Sequence, residues 1–446
     1  MQAIEYQRTR LFWIAVLGLF TAAMLFGLRA GLNSGMRDEI FAGTVNSGEL
    51  IASAFGMAFF GFGFTLFAAS PLLDKIGIGN VLRGSALCFI VSVVMIYVAT
   101  MVDSDTISHN LFWIGMLVQG IGWGGQEAAI NPMTTALYPE DKTHRLNVLH
   151  AWWPAGIIVG GLIGFGIGWF DIPWKLAMAA PLAPAIALLL MSKGVAFPQT
   201  EREAEGISFS DMMLEIFRAP SCLIWFGAMF LTASLELAPG QWIEAALSAK
   251  VGFNAVLILV YVAGLMFVMR HFAGPLAHRL SNPGLLWFSS LFAMVGLYLM
   301  ATVDSPFMVI VAATIWGTGV CFLWPTMMAS VSERYPKGGS WFIGLIGTSA
   351  ALAMYFVLPM LGRLYDTAMA QAAGGPEKLE LLKAEGTAIA ASELLEIEKT
   401  AAPQAFEFVA MLAIPLLLLF GIVWLLEKRA QRIASQTPET AQQKAL

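Results

Sequence analysis

Charge is scarce in this chain. Asp, Glu, Lys and Arg make up 12% of its 446 residues, against 58% hydrophobic, which leaves too little polar side chain to clothe a soluble globule, so lipid must solvate most of the surface. Cysteine is scarce as well: Cys88, Cys222 and Cys321 are odd in number, lie inside apolar runs and show no paired spacing. That excludes a disulfide framework or thiolate metal cluster and leaves them as packing residues. The histidines (His109, His144, His150, His271 and His278) fall at no metal-ligand spacing, and no nucleophile motif appears. No metal, cofactor or enzymatic activity is expected. Gly120-Ile121-Gly122-Trp123-Gly124-Gly125 sits inside an apolar run, with no preceding strand and no following Lys-Ser/Thr, so it does not read as a nucleotide loop. The formal net charge of -5 owes much to acids in one late loop and gives no reason to expect a nucleic-acid partner.

Long apolar runs are what the chain has in abundance. Twelve reach the roughly 17 to 25 residues needed to cross a bilayer: 11–33, 50–73, 81–101, 111–137, 146–170, 174–192, 220–246, 254–277, 284–302, 306–331, 339–361 and 404–427. The first is too long for a secretory signal, holds Arg29 and lacks an Ala-x-Ala cleavage site, so it reads as a mature helix. Most Lys and Arg, among them Arg8, Arg10, Lys142, Arg145, Arg334 and Lys428, fall on the side of the amino terminus. The short segments on the other side hold only Arg37, Lys175 and Lys250. Positive charge is retained in the cytoplasm, so both termini are expected there, in a bacterial-type inner membrane.

Two polar interruptions divide the chain. Segment 193–219, with Glu201-Arg202-Glu203-Ala204-Glu205, reads as a cytoplasmic linker between an amino-terminal bundle (1–192) and a carboxy-terminal bundle (220–427), followed by a cytoplasmic tail (428–446). Asp211 to Phe217 is expected to form a short surface helix. Segment 362–403 is a long outer loop whose Pro376 to Lys399 stretch is rich in Ala, Leu, Glu and Lys, predicting solvated helices.

The halves repeat. Ser70-Pro71-Leu72-Leu73-Asp74-Lys75-Ile76-Gly77 aligns without gaps with Gly274-Pro275-Leu276-Ala277-His278-Arg279-Leu280-Ser281, and Gly120 with Tyr138-Pro139 aligns with Gly317 and Tyr335-Pro336. Same-direction repeats six runs apart imply two parallel bundles about an axis along the membrane normal.

On these residues the sequence resembles the major facilitator superfamily. The resemblance implies an all-α transmembrane fold of twelve helices, two six-helix bundles related by a pseudo-two-fold axis along the membrane normal. Ser70 to Leu82 is similar to the family's Gly-x-x-x-Asp-x-x-Gly gating loop, with Ser70 for the leading Gly and without the usual basic residues after Gly77; Asp74 and Lys75 stand in the motif. Glu127-Ala128-Ala129-Ile130-Asn131-Pro132, then Arg145-Leu146-Asn147 and Gly156, resembles the fucose, galactose and glucose proton symporter branch. In that branch the fourth-helix acid belongs to the central polar site and affects proton coupling, which carries over to Glu127. His150 and Trp153 replace polar sugar contacts after the Leu-Asn pair, and Leu32-Asn33-Ser34 stands where the branch has an acid.

Physics points to the same place. An ionisable side chain at the bilayer centre costs about 2.5 to 3.5 kcal/mol on insertion scales, so it faces a cavity or a partner. Glu127 and Glu236 are the proton-coupling candidates, and Arg29 and Arg270 are expected to pair with intramembrane acids; the competing reading makes each acid a structural ion-pair partner. Trp123, Trp153, Trp242 and Trp324, with Asn33, Asn131 and His150, complete the candidate solute site, either as stacking faces or as ordinary packing. The expected function is proton-coupled symport of a sugar or similar small polar organic solute, with the proton or another ion as co-substrate and the chain acting as a monomer. A drug or metabolite exporter on the same fold is the alternative.

Overall fold

The computed structural model describes residues 6–44, 46–140, 142–170, 172–200, 203, 206, 208–270, 273–385, 387–401 and 404–436. The acidic run from Glu201 to Glu205 apart from Glu203, together with His271 and the tail from 437, lies outside the described residues, as do the side chains of Asn147 and His278.

The spans are α1 Arg8–Gly31, α2 Ser47–Ile76, α3 Ile78–Ala99, α4 Asp105–Leu137, α5 Trp152–Trp169, α6 Leu182–Met191, α7 Cys222–Val251, α8 Val256–Arg270, α9 Ala273–Thr302, α10 Pro306–Val320 continued by Leu323–Arg334, α11 Gly339–Ala373 and α12 Ala413–Gln436. Among the described residues, ten helical segments are long and apolar enough to cross a membrane. The other two members of the set of twelve explain themselves. α8 is 15 residues long up to the point where description pauses, and α4, at 33 residues, carries Gln119, Gln126, Glu127 and Asn131 in its middle. A spanning helix that polar at its centre has to turn that face toward protein or a cavity.

Successive spans run in opposite directions, which puts the start of α1 and the end of α12 on one face, here the terminal face, and segment 362–403 on the other, the loop face. Phe209–Arg218 forms the expected linker helix. Ser208 caps it, its Oγ accepting from the Asp211 N–H at 3.1 Å. Hydrogen bonding from Ser208, and then from Arg218, holds the Asp211 carboxyl below its usual range. Pro376–Glu385 and Ala388–Ala401 are helical, as their composition predicted.

The repeat survives in backbone geometry. Tyr138 ends α4 at φ -131°, ψ 61°, and Tyr335 ends α10 at φ -130°, ψ 59°. Gly77, between α2 and α3, sits at φ 88°; its aligned counterpart Ser281 kinks α9 at φ 62°, ψ 165°, and is the non-glycine residue with positive φ among the described residues. A side chain in that region costs about 1 to 3 kcal/mol. Both halves thus break at the same aligned position, with glycine there in one and serine in the other.

Small residues set the packing. A methyl group on Gly120 of α4 would collide with the Ala58 carbonyl of α2, and one on Gly160 of α5 with the Met24 carbonyl of α1. These helices therefore touch backbone to backbone. Across the halves α2 lies along α11 and α5 along α8.

Candidate functional site

Gln119, Trp123, Glu127 and Asn131 follow one another four residues apart on α4, a stripe that rises about 6 Å and winds about 40° round the helix per step. Trp123 is stacked between Phe62 (4.3 Å between ring centroids) and Trp153 (5.2 Å). Phe59 packs edgewise on Trp123, and Phe26 leans on Trp153. The result is an aromatic wall on the amino-terminal half of the site.

Toward the terminal face from that wall lies Glu127, 6% exposed. Its Oε2 accepts from Gln126 Nε2 at 3.0 Å and its Oε1 from Asn131 Nδ2 at 3.2 Å. Asn131 Oδ1 in turn lies 2.9 Å from His150 Nε2. On the opposite half, Arg270 stands 3.6 Å from Glu236 and also donates to the carbonyls of Cys321 (3.3 Å) and His150 (3.5 Å). The break in α10 at Cys321 and Phe322 serves this pair. It leaves the Cys321 carbonyl for Arg270 and starts the next helical segment at Leu323, which places Trp324 beside Glu236 in the lining of the cavity.

Leu19, Phe62, Trp123, Glu127, His150, Trp153, Glu236, Leu237, Arg270 and Trp324 thus enclose one cavity between the halves, of about 40 Å³, room for a water or two. Seven of these had been singled out in the sequence. Leu19, Phe62 and Leu237 had not, because nothing in a run of apolar residues marks the member that faces a cavity. Asn131 reaches the site through Glu127 and His150.

Three expected members lie elsewhere. Among the described residues Arg29 is not paired with an acid: its Nη1 donates to Gln119 Oε1 at 2.8 Å, and its guanidinium carbon stands 5.6 to 6.0 Å from the ring centres of Phe26, Phe55 and Phe59. α1 turns Arg29 toward α2 and α4, and Glu127 is eight residues further along α4 than Gln119, about 12 Å away along the axis. Asn33 is drawn to the Gln241 carbonyl at 3.1 Å. Trp242 packs on Tyr365, 5.6 Å between rings, also toward the loop face. Asp74 accepts a hydrogen bond from Thr200 of the linker at 2.5 Å, while Lys75 is exposed.

The loop face is sealed across the halves. Ser34 donates to Glu244 at 2.8 Å, Arg363 pairs with Glu49 at 2.7 Å, the Glu49 N–H donates to Asp366 at 2.9 Å, and Gln241 donates to the Phe26 carbonyl at 3.2 Å. Toward the terminal face, Asn131, Pro132 and Thr135 on α4, and Trp324, Pro325 and Met328 on α10, are only partly buried, at the same spacing in the two halves.

The sequence matches the Major Facilitator Superfamily model over residues 15–358. The chain belongs to the major facilitator superfamily. Its solved relatives in shape include the D-xylose-proton symporter (14% identity, TM-score 0.68, covering 90% of this chain and 97% of that one). A bacterial homologue of the human lysosomal transporter Spinster, inward-facing and unoccupied, aligns at 15% identity and TM-score 0.67 over 97% and 100%. A variant of the E. coli fucose:proton symporter FucP aligns at 16% identity and TM-score 0.54 over 90% and 98%. At these identities the likeness is one of fold. No curated protein sequence matches this chain. This major facilitator protein is therefore a multi-pass membrane transporter, from a family of carriers rather than enzymes.

Proposed function

We propose that this transporter is a proton-coupled symporter of a sugar or similar small polar organic solute, with Glu127 as the coupling acid. The observation that carries the assignment is the contrast between the two buried acids. Glu236 faces Arg270, whereas both oxygens of Glu127 accept from neutral amides. An acid without a fixed counter-cation, buried beside a cavity, can be neutralised by a proton without breaking an ion pair. Phe62, Trp153 and Trp324 line the cavity beside it and offer aromatic surface to a sugar ring, and Asn131 links the acid to His150. In this reading the terminal face is cytoplasmic, and bundles 1–192 and 220–427, joined by linker 193–219, rock about the site. The site in this reading opens alternately to the terminal face and to the loop face.

The test compares gradient-driven uptake with exchange in proteoliposomes. Glu127→Gln matches the protonated acid in size, so it abolishes accumulation driven by a pH gradient while exchange between solute pools continues, because exchange needs only the loaded carrier to turn over. Proton-driven accumulation persisting in that variant removes Glu127 from coupling and makes Glu236 the next candidate. Loss of exchange as well makes Glu127 a solute ligand instead, and solute moving out against an inward proton gradient makes the protein an exporter.

A further inference from the structure

Arg29 is a permanent cation, 1% exposed, inside the membrane-spanning part of α1. Buried charges are expensive and are ordinarily paired. Among the described residues this one meets the Gln119 amide and three phenyl rings, and its Nε–H has no hydrogen-bond partner. Gln119, 3% exposed, spends its Oε1 on Arg29, which leaves its Nε2–H₂ as a second unpartnered buried donor. Two unfilled donors, one of them cationic, define a place for an anion.

The neighbouring amides ask for the opposite. Asn33 Nδ2 donates to the Gln241 carbonyl and Gln241 Nε2 to the Phe26 carbonyl. Since a carbonyl only accepts, both amides are fixed with nitrogen inward to the backbone, and Asn33 Oδ1 and Gln241 Oε1 are left as unpartnered acceptors. Asn33 lies four residues beyond Arg29 toward the loop face, just past the break in the helix at Leu32. Position supplies the last element. Gln119 precedes Trp123 and Glu127 on α4, so Arg29 stands on the loop-face side of the central cavity; Phe26 and Phe59, which it touches, pack edge to face at 6.5 Å and lie in turn against Trp153 and Trp123 of the cavity wall.

We propose that Arg29 and Gln119 form a second solute station, on the loop-face side of an aromatic partition, which binds the carboxylate of a hydroxylated organic acid of the sugar-acid class while Asn33 and Gln241 accept from its hydroxyls. This rests on the transporter reading above and sharpens its solute from polar to anionic. Arg270, already engaged by Glu236, is not available for that task, and Arg29 is. Co-transport of one proton with a monocarboxylate also moves no net charge, which suits a carrier with an uncompensated acid at Glu127.

The experiment is ligand binding to the full-length protein in lipid nanodiscs, without a pH gradient, so that a failure of proton coupling leaves it readable. The probes are D-glucuronate, D-gluconate and, as the neutral counterpart, D-glucose. Wild type binds at least one of the acids about tenfold or more tightly than glucose, and Arg29→Gln loses about tenfold or more of that affinity. Gln119→Leu, which keeps the charge and removes the second donor, weakens acid binding several-fold and stands in if Arg29→Gln fails to fold. Equal affinity for acid and glucose, binding of none of the three, or acid affinity unchanged in both variants overturns the proposal.

Discussion

Glu236 and Arg270 approach to 3.6 Å with side chains 7% and 11% exposed, so each is the other's main compensation for leaving water. Removing one strands the other, a loss of about 3 to 5 kcal/mol for a buried pair. Glu236→Gln alone is therefore expected to lower the thermal midpoint in detergent markedly, and Glu236→Gln with Arg270→Gln to lose less than the two single changes added together. Additive losses would show that the pair does not act as a unit. Ser281 is the second residue-scale case. Since its φ of 62° suits glycine, Ser281→Gly is expected to stabilise by about 1 kcal/mol or more, whereas Gly77→Ser at the aligned break destabilises. Thermal unfolding of both variants checks the signs, and a destabilised Ser281→Gly would contradict the strain argument.

At the scale of elements, α4 does two jobs with two faces. Gly120 lets it press against α2 until a methyl group would strike the Ala58 carbonyl, while Trp123 and Glu127 turn to the site. Moving α4 moves both. Gly120→Val is thus expected to abolish transport by displacing Trp123 and Glu127, with a stability loss of about 1 to 3 kcal/mol or more from overpacking. Native-level transport by that variant would mean the close approach is dispensable. α10 shows the converse device, an interruption at Cys321 and Phe322 that leaves the Cys321 carbonyl to accept from Arg270.

Across the whole molecule the loop face is shut by contacts between halves, and the ion pair among them is weak by itself. Arg363 is 68% exposed in its pair with Glu49, and such a surface pair is worth at most about 1 kcal/mol. A closure built from small terms can be reversed, as a carrier requires. Cysteines at Ser34 and Glu244, whose side chains hydrogen-bond at 2.8 Å, joined by a short bifunctional reagent, are expected to hold the loop face closed. Transport then stops until the link is cleaved, while solute still binds from the terminal face. Full-rate transport by the linked protein would rule out opening at this face.

The sequence by itself determined the spans, the internal repeat and the placing of Trp123, Glu127 and Asn131 on the fourth helix, because these depend on local hydropathy and on spacing along one helix. It marked Glu127, Glu236 and Arg270 as ionisable groups at membrane depth for the same reason. Which cation meets which acid was decided only by tertiary structure. Arg29 and Arg270 look alike in sequence, each a lone base in an apolar run, yet α8 turns one to Glu236 and α1 turns the other to Gln119 and three phenyl rings. The rotation of a helix about its axis follows from its contacts with every neighbour at once. No window of residues along a single span contains that information, which is why Asn33 and Trp242 moved to the loop-face seal and Phe62 entered the site.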